Sequence, residues 1–179
     1  KLNRPCRPLL PEKEPKPPIG DLPPDTPLPP VSRYAYRSFD RQWAIADSRV
    51  GDFIRPVFWR SHGRQQVYVT SLFSQPLGPG PALTAAAHPP DLDHFRGSYG
   101  AKATIPLYRN RDATEPNLSP GLLQAIGDSL GHAITPADLL AYVYAIAAQP
   151  AFTRRFRDEL ETRELDALER KFPELLAPD

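Results

Sequence analysis

Proline is spread so unevenly along this 179-residue chain that it divides the sequence before any other pattern does. Of the 24 prolines, 11 lie between Lys1 and Pro30. A proline ring fixes φ and removes the N–H that a helix or a sheet ladder needs, so this stretch can neither wind as an α-helix nor pair as a strand. Residues 1–30 are expected to form an extended, polyproline-like arm, serving as a linker or as a proline-rich ligand. Residues 31–118 are rich in β-favouring and turn residues, and residues 119–179 carry helical periodicity. The expected fold class is α+β, with a small, mostly antiparallel β-rich half followed by a short C-terminal helical bundle of the same domain.

Candidate strands are Trp43–Ala46, Val57–Arg60, Gln66–Ser71, Ala82–Ala86 and Thr104–Tyr108. Val67 and Val69 alternate with Gln66, Tyr68 and Thr70, as in a half-buried strand. His62-Gly63-Arg64 reads as a hairpin-like turn between two of these runs. Gln75–Pro81 and His88-Pro89-Pro90 read as loops. Further on, Ser119 and Pro120 look like the N-cap and first residue of a helix that stops at Gly131, with Leu122, Leu123, Ile126 and Leu130 on one face. Thr135, Pro136 and Asp138 repeat the start signal, close to a capping box, ahead of Leu139, Leu140, Val143 and Ile146. A third helix is expected from about Pro150, with Phe152, Phe156 and Leu160 as its stripe. The charged run Glu161–Lys171 extends it or forms a fourth.

The formal charge is +1, so no global field advertises nucleic acid. Locally the balance differs. Val31 to Leu118 holds 11 Lys+Arg against 7 Asp+Glu, and 10 of those cations are arginine. Arginine suits bidentate contacts to phosphate and guanine, and it is also the ordinary choice of a GC-rich genome. Cys6 is the one cysteine, which excludes a disulfide framework and fits a reducing, cytoplasmic location. No apolar run approaches a membrane span, so no membrane partner is expected. No signal peptide opens the chain. Methionine is absent even from position 1, so the sequence is expected to be a fragment or a processed product.

Catalytic signatures are weak. Asp93, His94 and Ser98 list the members of a Ser-His-Asp triad, but no G-x-S-x-G surrounds Ser98, and triads are defined by geometry rather than by adjacency. His62, His88, His94 and His132 show no i, i+4 pairing or H-E-x-x-H, so a metal site is not expected. Glu169-Arg170-Lys171 reads as a solvated helical face. The chain by itself is expected to be non-catalytic.

Two blocks carry more information. Asp93 to Lys102 places Arg96 and Lys102 around Gly97, Ser98 and Gly100, a backbone able to point its amides at an anion. Its spacing is not that of a nucleotide-binding P-loop, because Ala103 follows Lys102. A polymer of phosphates fits better, and a glycine-bent hairpin with exposed cations is the plain alternative. In the second block, Tyr34 to Trp43, the aromatic rings offer stacking surfaces while Arg37 and Arg41 reach phosphate or guanine edges. The structural alternative, favoured for Phe39, Asp40 and Trp43, pairs Asp40 with a neighbouring arginine and buries the two rings. Candidate DNA-binding residues are Arg37, Arg41, Arg96, Gly97, Ser98, Gly100 and Lys102 from these blocks, with Arg60, Arg64 and Arg109 from the arginine-rich stretch around them.

Tyr36-Arg37-Ser38-Phe39-Asp40-Arg41 resembles the Y-R-x-F-D-x-R block that opens the C-terminal specificity region of type ISP restriction-modification enzymes. His94-Phe95-Arg96-Gly97-Ser98-Tyr99-Gly100 through Ile105-Pro106-Leu107-Tyr108 is similar to that region's H-F-R-G-S-x-G…I-P-L-aromatic block. Thr135 to Ala145 resembles its T-x-x-D-x-x-A-Y-x-Y-A helix. The likeness spans about Arg33 to Leu160; Ala101 and Ala103 stand where relatives carry Gly and Asp, and Glu161–Asp179 does not resemble the family's ending. The resemblance implies recognition of a double-stranded DNA target for an adenine-N6 methyltransferase domain of the same polypeptide. That domain would use S-adenosylmethionine, with no cofactor in this chain. A protein-interaction or assembly module without DNA affinity is the alternative.

Overall fold

The computed structural model describes residues 18–27, 30–47, 50, 55–71, 80–95 and 103–157. The expectations placed on Arg96, Gly97, Ser98, Gly100 and Lys102, and on the tail beyond residue 157, lie outside the described residues. Within the proline-rich arm, residues 18–27 are not uniformly extended. A 3-10 turn occupies Ile19–Asp21, closed by the Asp21 N–H on the Pro18 carbonyl at 3.1 Å, and the Thr26 N–H closes a second turn on Pro23. The fixed φ of proline suits a turn as well as an extended run.

The first sheet is a hairpin of β1 (Val31–Arg37) and β2 (Asp40–Ile45), antiparallel, with Val31 opposite Ile45 and Arg37 opposite Asp40. A bulge between Ala35 and Arg37 twists its far end. Along the other edge of β1 the chain returns in parallel at Pro89–Asp91. Ala35 donates its N–H to the Pro89 carbonyl at 3.1 Å and accepts from the Asp91 N–H at 2.9 Å. The expected Trp43–Ala46 strand is thus the end of a longer β2, and His88-Pro89-Pro90 is more than a loop.

Val57–Arg60 is not a strand. It lies in helix α1 (Pro56–Ser61), which Pro56 starts from the N1 position, where its missing N–H has no intrahelical partner to lose. The Ser61 hydroxyl donates back to the Val57 carbonyl at 3.1 Å. A run as short as Val57–Arg60 cannot distinguish a short helix from a strand by periodicity, and here the proline decides. His62-Gly63-Arg64 accordingly joins a helix to a strand.

The second sheet has β3 (Tyr68–Ser71) at its centre, antiparallel to both β4 (Leu83–Ala86) and β5 (Ala103–Pro106). Its buried face carries Gln66, Tyr68 and Thr70, while Val67 and Val69 are only half-buried. The polar face turns inward because each polar atom finds a partner. The Gln66 amide nitrogen donates to the Ser61 and Tyr108 carbonyls, both at 2.8 Å, and its oxygen accepts from the Tyr108 N–H at 2.9 Å. The Tyr68 hydroxyl donates to the Phe58 carbonyl at 2.7 Å, and burial raises its pKa well above the usual phenol value.

Three helices follow. α2 (Leu122–Leu130) begins after Gly121, whose φ of 79° ends a preceding turn, so Ser119 and Pro120 lie before the helix rather than at its cap. Gly131, with φ 73°, ends it in the left-handed conformation as expected. α3 (Pro136–Ala147) opens with a complete capping box: the Thr135 hydroxyl accepts from the Asp138 N–H at 3.2 Å, and the Asp138 carboxylate accepts from the Thr135 N–H at 2.9 Å. Its C-terminal end is tied to the second sheet by the Ala82 N–H on the Ala147 carbonyl, and Phe152 of α4 (Pro150–Arg155) packs on the buried Ala82 and Phe95. The fold is α+β, antiparallel sheets followed by short helices. No residue of α3 is buried, however, and Tyr142, Val143 and Ile146 face solvent rather than a bundle interior. No described helix is long and apolar enough to cross a membrane.

Candidate nucleic-acid interface

The hairpin is positioned by a half-buried polar knot. The Asp91 carboxylate accepts from the Tyr34 hydroxyl, from Arg37 at 3.1 Å, and from the Asp93 N–H at 2.8 Å. Burial first, and then this hydrogen bond, push the Tyr34 pKa upward. Arg55 lies beneath, donating to the Pro90 carbonyl and to the Thr104 hydroxyl at 3.3 Å, with its guanidinium 4.6 Å from the centre of the Phe58 ring. Burial draws its pKa down to about 10, so it stays charged at neutral pH. His94 is buried, and its Nδ1 donates to the Ala35 carbonyl at 3.1 Å. That engagement is structural, which removes His94 from any triad with Asp93.

The opposite, solvent face of the hairpin is cationic and aromatic. Arg33 and Trp43 are cross-strand partners, and the Arg33 guanidinium lies 4.0 Å from the Trp43 ring centre. Arg41, two pairs along and so on the same face, is exposed. Trp43 is 62% exposed and Phe39 fully so, which overturns the expectation that both are core residues. Asp40 also departs from expectation: its carboxylate accepts from the Gln42 side chain at 2.9 Å rather than from an arginine. A two-residue turn between bulged strands leaves no second layer over these rings, whatever their hydrophobicity.

Beside this face lies a cleft of about 660 Å³ between the turn 62–65, Ala87 and His88 just after β4, and the loop 111–113. Two contacts hold its walls together. Arg111 donates from Nε to the His62 carbonyl at 3.0 Å. Gly63 packs so closely on Arg111 that any Cβ there would overlap the Arg111 carbonyl oxygen. The loop is stiffened by Asn110, whose side-chain oxygen accepts from the N–H groups of Thr114 and Glu115, both at 3.1 Å, and Ala113 sits at a φ of 54°. The rings of His62 and His88 lie 5.7 Å apart, and each buries an Nδ1 that meets no hydrogen-bond partner. Desolvation lowers both pKa values; His88 and Arg111 add to this at His62, and Arg41 and Arg33 at His88. The charges acting on His88 link the cleft to the hairpin face. Arg33, Arg41, Arg64 and Arg111, with two imidazoles, thus form one surface with Asp112 as the acid in the cleft wall.

Burial of His94 likewise lowers its pKa. All three histidines therefore bind protons more readily in the unfolded chain, where the value is about 6.5. Their contribution to stability is complete above that pH and is lost as pH falls toward the depressed native values. Urea midpoints are expected to be level between pH 7 and 8 and to drop below about pH 6.5. A midpoint that rises on acidification would contradict the depressed values.

The candidate arginines divide. Arg41 and Arg64 are exposed, are ion-paired to no described residue, and fall on this surface. Arg37 is held by Asp91 and by Asp93 at 3.6 Å, and Arg109 by Glu115 at 3.7 Å, so both are structural in part. Arg60 on α1 is half-buried. Sequence reasoning missed Arg33, Arg111, His62 and His88 as members of one surface. A signal existed only for Arg33, which alternates with Tyr34 along a strand.

Fold and surface together describe an α+β module that presents a pre-formed cationic face on a hairpin and its neighbouring cleft. A scan against protein-family models matches residues 15–165 to the Type ISP C-terminal specificity domain, and the chain belongs to that family. It is a target-recognition part of the restriction-modification class. No curated protein and no solved structure matches it.

Proposed function

We propose that this chain binds double-stranded DNA sequence-specifically, presenting the target to an adenine-N6 methyltransferase domain of the same polypeptide in the cytoplasm. S-adenosylmethionine would belong to that catalytic domain. The observation that carries the reading is the convergence of Arg33, Arg41, Arg64 and Arg111 from separate elements onto one face. Among the described residues of the cleft lining only Asp112 offsets these cations, which repel one another, and a row of phosphates relieves that repulsion. Arg37 and Arg109 act mainly by holding the hairpin and the 109–115 loop in place. Arg96 and Lys102, outside the described residues, are candidate DNA contacts on sequence grounds alone.

Duplex binding measured by anisotropy is expected to fall steeply as salt rises, by a slope of about 0.9 per phosphate contacted. Arg41→Ala with Arg64→Ala should weaken binding to all duplexes alike and reduce that slope by about 2 if each holds one phosphate. A base-reading arginine would instead relax preference at one position. No duplex binding at low salt in the full-length protein would refute the reading. The exposed Tyr142, Val143 and Ile146 on α3 favour a second reading, docking to another protein surface. A salt-insensitive protein complex without DNA affinity would select it.

A further inference from the structure

Phe39 combines two features that a hairpin tip ordinarily avoids. Its side chain is fully exposed, and its φ is 71°. Of the two turn residues, Ser38 and Phe39, only the second adopts positive φ, and such a position is normally given to glycine or asparagine. For a bulky residue this backbone is a genuine outlier. Folding gains little from it, since the ring packs on nothing that would repay the strain. Strain of this kind persists where the surroundings impose it, and it points from the outlier to function.

The surroundings do impose it. Within the turn itself, Ser38 donates both its N–H, at 3.1 Å, and its hydroxyl, at 3.0 Å, to the carbonyl of the buried His94. On one side Arg37 is clamped by Asp91 and Asp93, and on the other the Asp40 carboxylate is held by Gln42. The tip cannot fold back to cover the ring. Behind it runs the hairpin face with Arg41 and the stacked Arg33–Trp43 pair. A two-stranded ribbon is a shape that a duplex groove admits, and its cations sit where phosphate rails would pass.

We propose that Phe39 is an apolar wedge that enters between two stacked base pairs of duplex DNA and unstacks that step. The inference rests on the DNA-binding reading above and adds the deformation of the duplex to it. An aromatic wedge costs the stack energy and returns it by burying the ring and by bending the DNA onto more protein surface. Arg41 and the Arg33–Trp43 pair hold the flanking phosphates while the wedge sits in the step. Specificity then includes a preference for an easily unstacked pyrimidine–purine step at a position where no hydrogen bond is made to a base edge.

The test uses the full-length protein and duplexes enriched by the wild type from a random-sequence pool, with 2-aminopurine placed at successive positions. Wild type is expected to raise emission several-fold at one step. Phe39→Ala should abolish that rise and weaken binding by roughly tenfold or more, by analogy with the loss of an aromatic–base stack. Phe39→Leu, still an apolar wedge, should keep both. Thermal midpoints of Phe39→Ala and Phe39→Gly should equal or exceed the wild type's. Equal emission from wild type and Phe39→Ala, no emitting position, or a lowered midpoint that marks Phe39 as a packing residue would each overturn the wedge while leaving DNA binding intact. Failure of the wild type to enrich any duplex would instead remove the DNA reading and the wedge with it.

Discussion

Gly63→Ala is expected to lower the thermal midpoint and to remove most DNA affinity, although the substitution adds one methyl group and changes no charge. That methyl must displace the Arg111 carbonyl, a backbone atom of a loop already pinned by Asn110. Forcing two stiff backbones apart costs about 2–3 kcal/mol, as overpacking does elsewhere. For a chain of this size that is roughly 5–10 °C. The movement separates Arg64 from Arg111 and breaks the Arg111 bond to the His62 carbonyl, so the cleft loses its shape along with its stability. Thermal melting and duplex anisotropy on one preparation check both. Wild-type melting with unimpaired binding would show that this close approach does not define the cleft.

Gln66→Leu should be the more damaging to the fold. The glutamine is buried and makes three hydrogen bonds that join the end of α1, the start of β3 and the segment after β5. Leucine fills similar volume but leaves the Tyr108 N–H and two carbonyls without partners. We expect a loss of about 2–4 kcal/mol, of which the orphaned N–H is the largest part. Gln66→Glu keeps the shape yet cannot donate to either carbonyl when ionised, and at pH 7 it should destabilise at least as much. Urea denaturation of the three proteins provides the comparison. A leucine variant as stable as wild type would mean that the amide is dispensable.

These two residues also mark where sequence reasoning stops. Local signals are legible: Thr135 to Asp138 closes a capping box, and Gly131 ends a helix, because each depends on neighbours within a turn. The run Gln66–Ser71 is recognisable as a strand, but its inward face carries Gln66, Tyr68 and Thr70. That inversion depends on acceptors contributed by residues as distant as Tyr108. Pattern alone assigns the valines to the core. Phe39 and Trp43 are misread for a related reason, since their hydrophobicity predicts burial, whereas in the hairpin Phe39 is fully exposed and Trp43 meets only the Arg33 guanidinium on its open face. Arg41 and Arg64 can be named from composition. Their meeting with Arg33 and Arg111 follows from a strand pairing and from the Gly63 contact, neither of which leaves a trace in local spacing.

The parallel run at Pro89–Asp91 has a consequence for how this molecule meets other chains. Neither proline carries an N–H, so once Ala35 is satisfied that border has almost no donors left with which to recruit another strand. It works as a chemical selvedge, closing one margin of the hairpin against edge-to-edge polymerisation. Any extended peptide that adds to the hairpin must therefore come alongside β2, next to Arg41 and Trp43, where it would compete with the DNA contact proposed for that face.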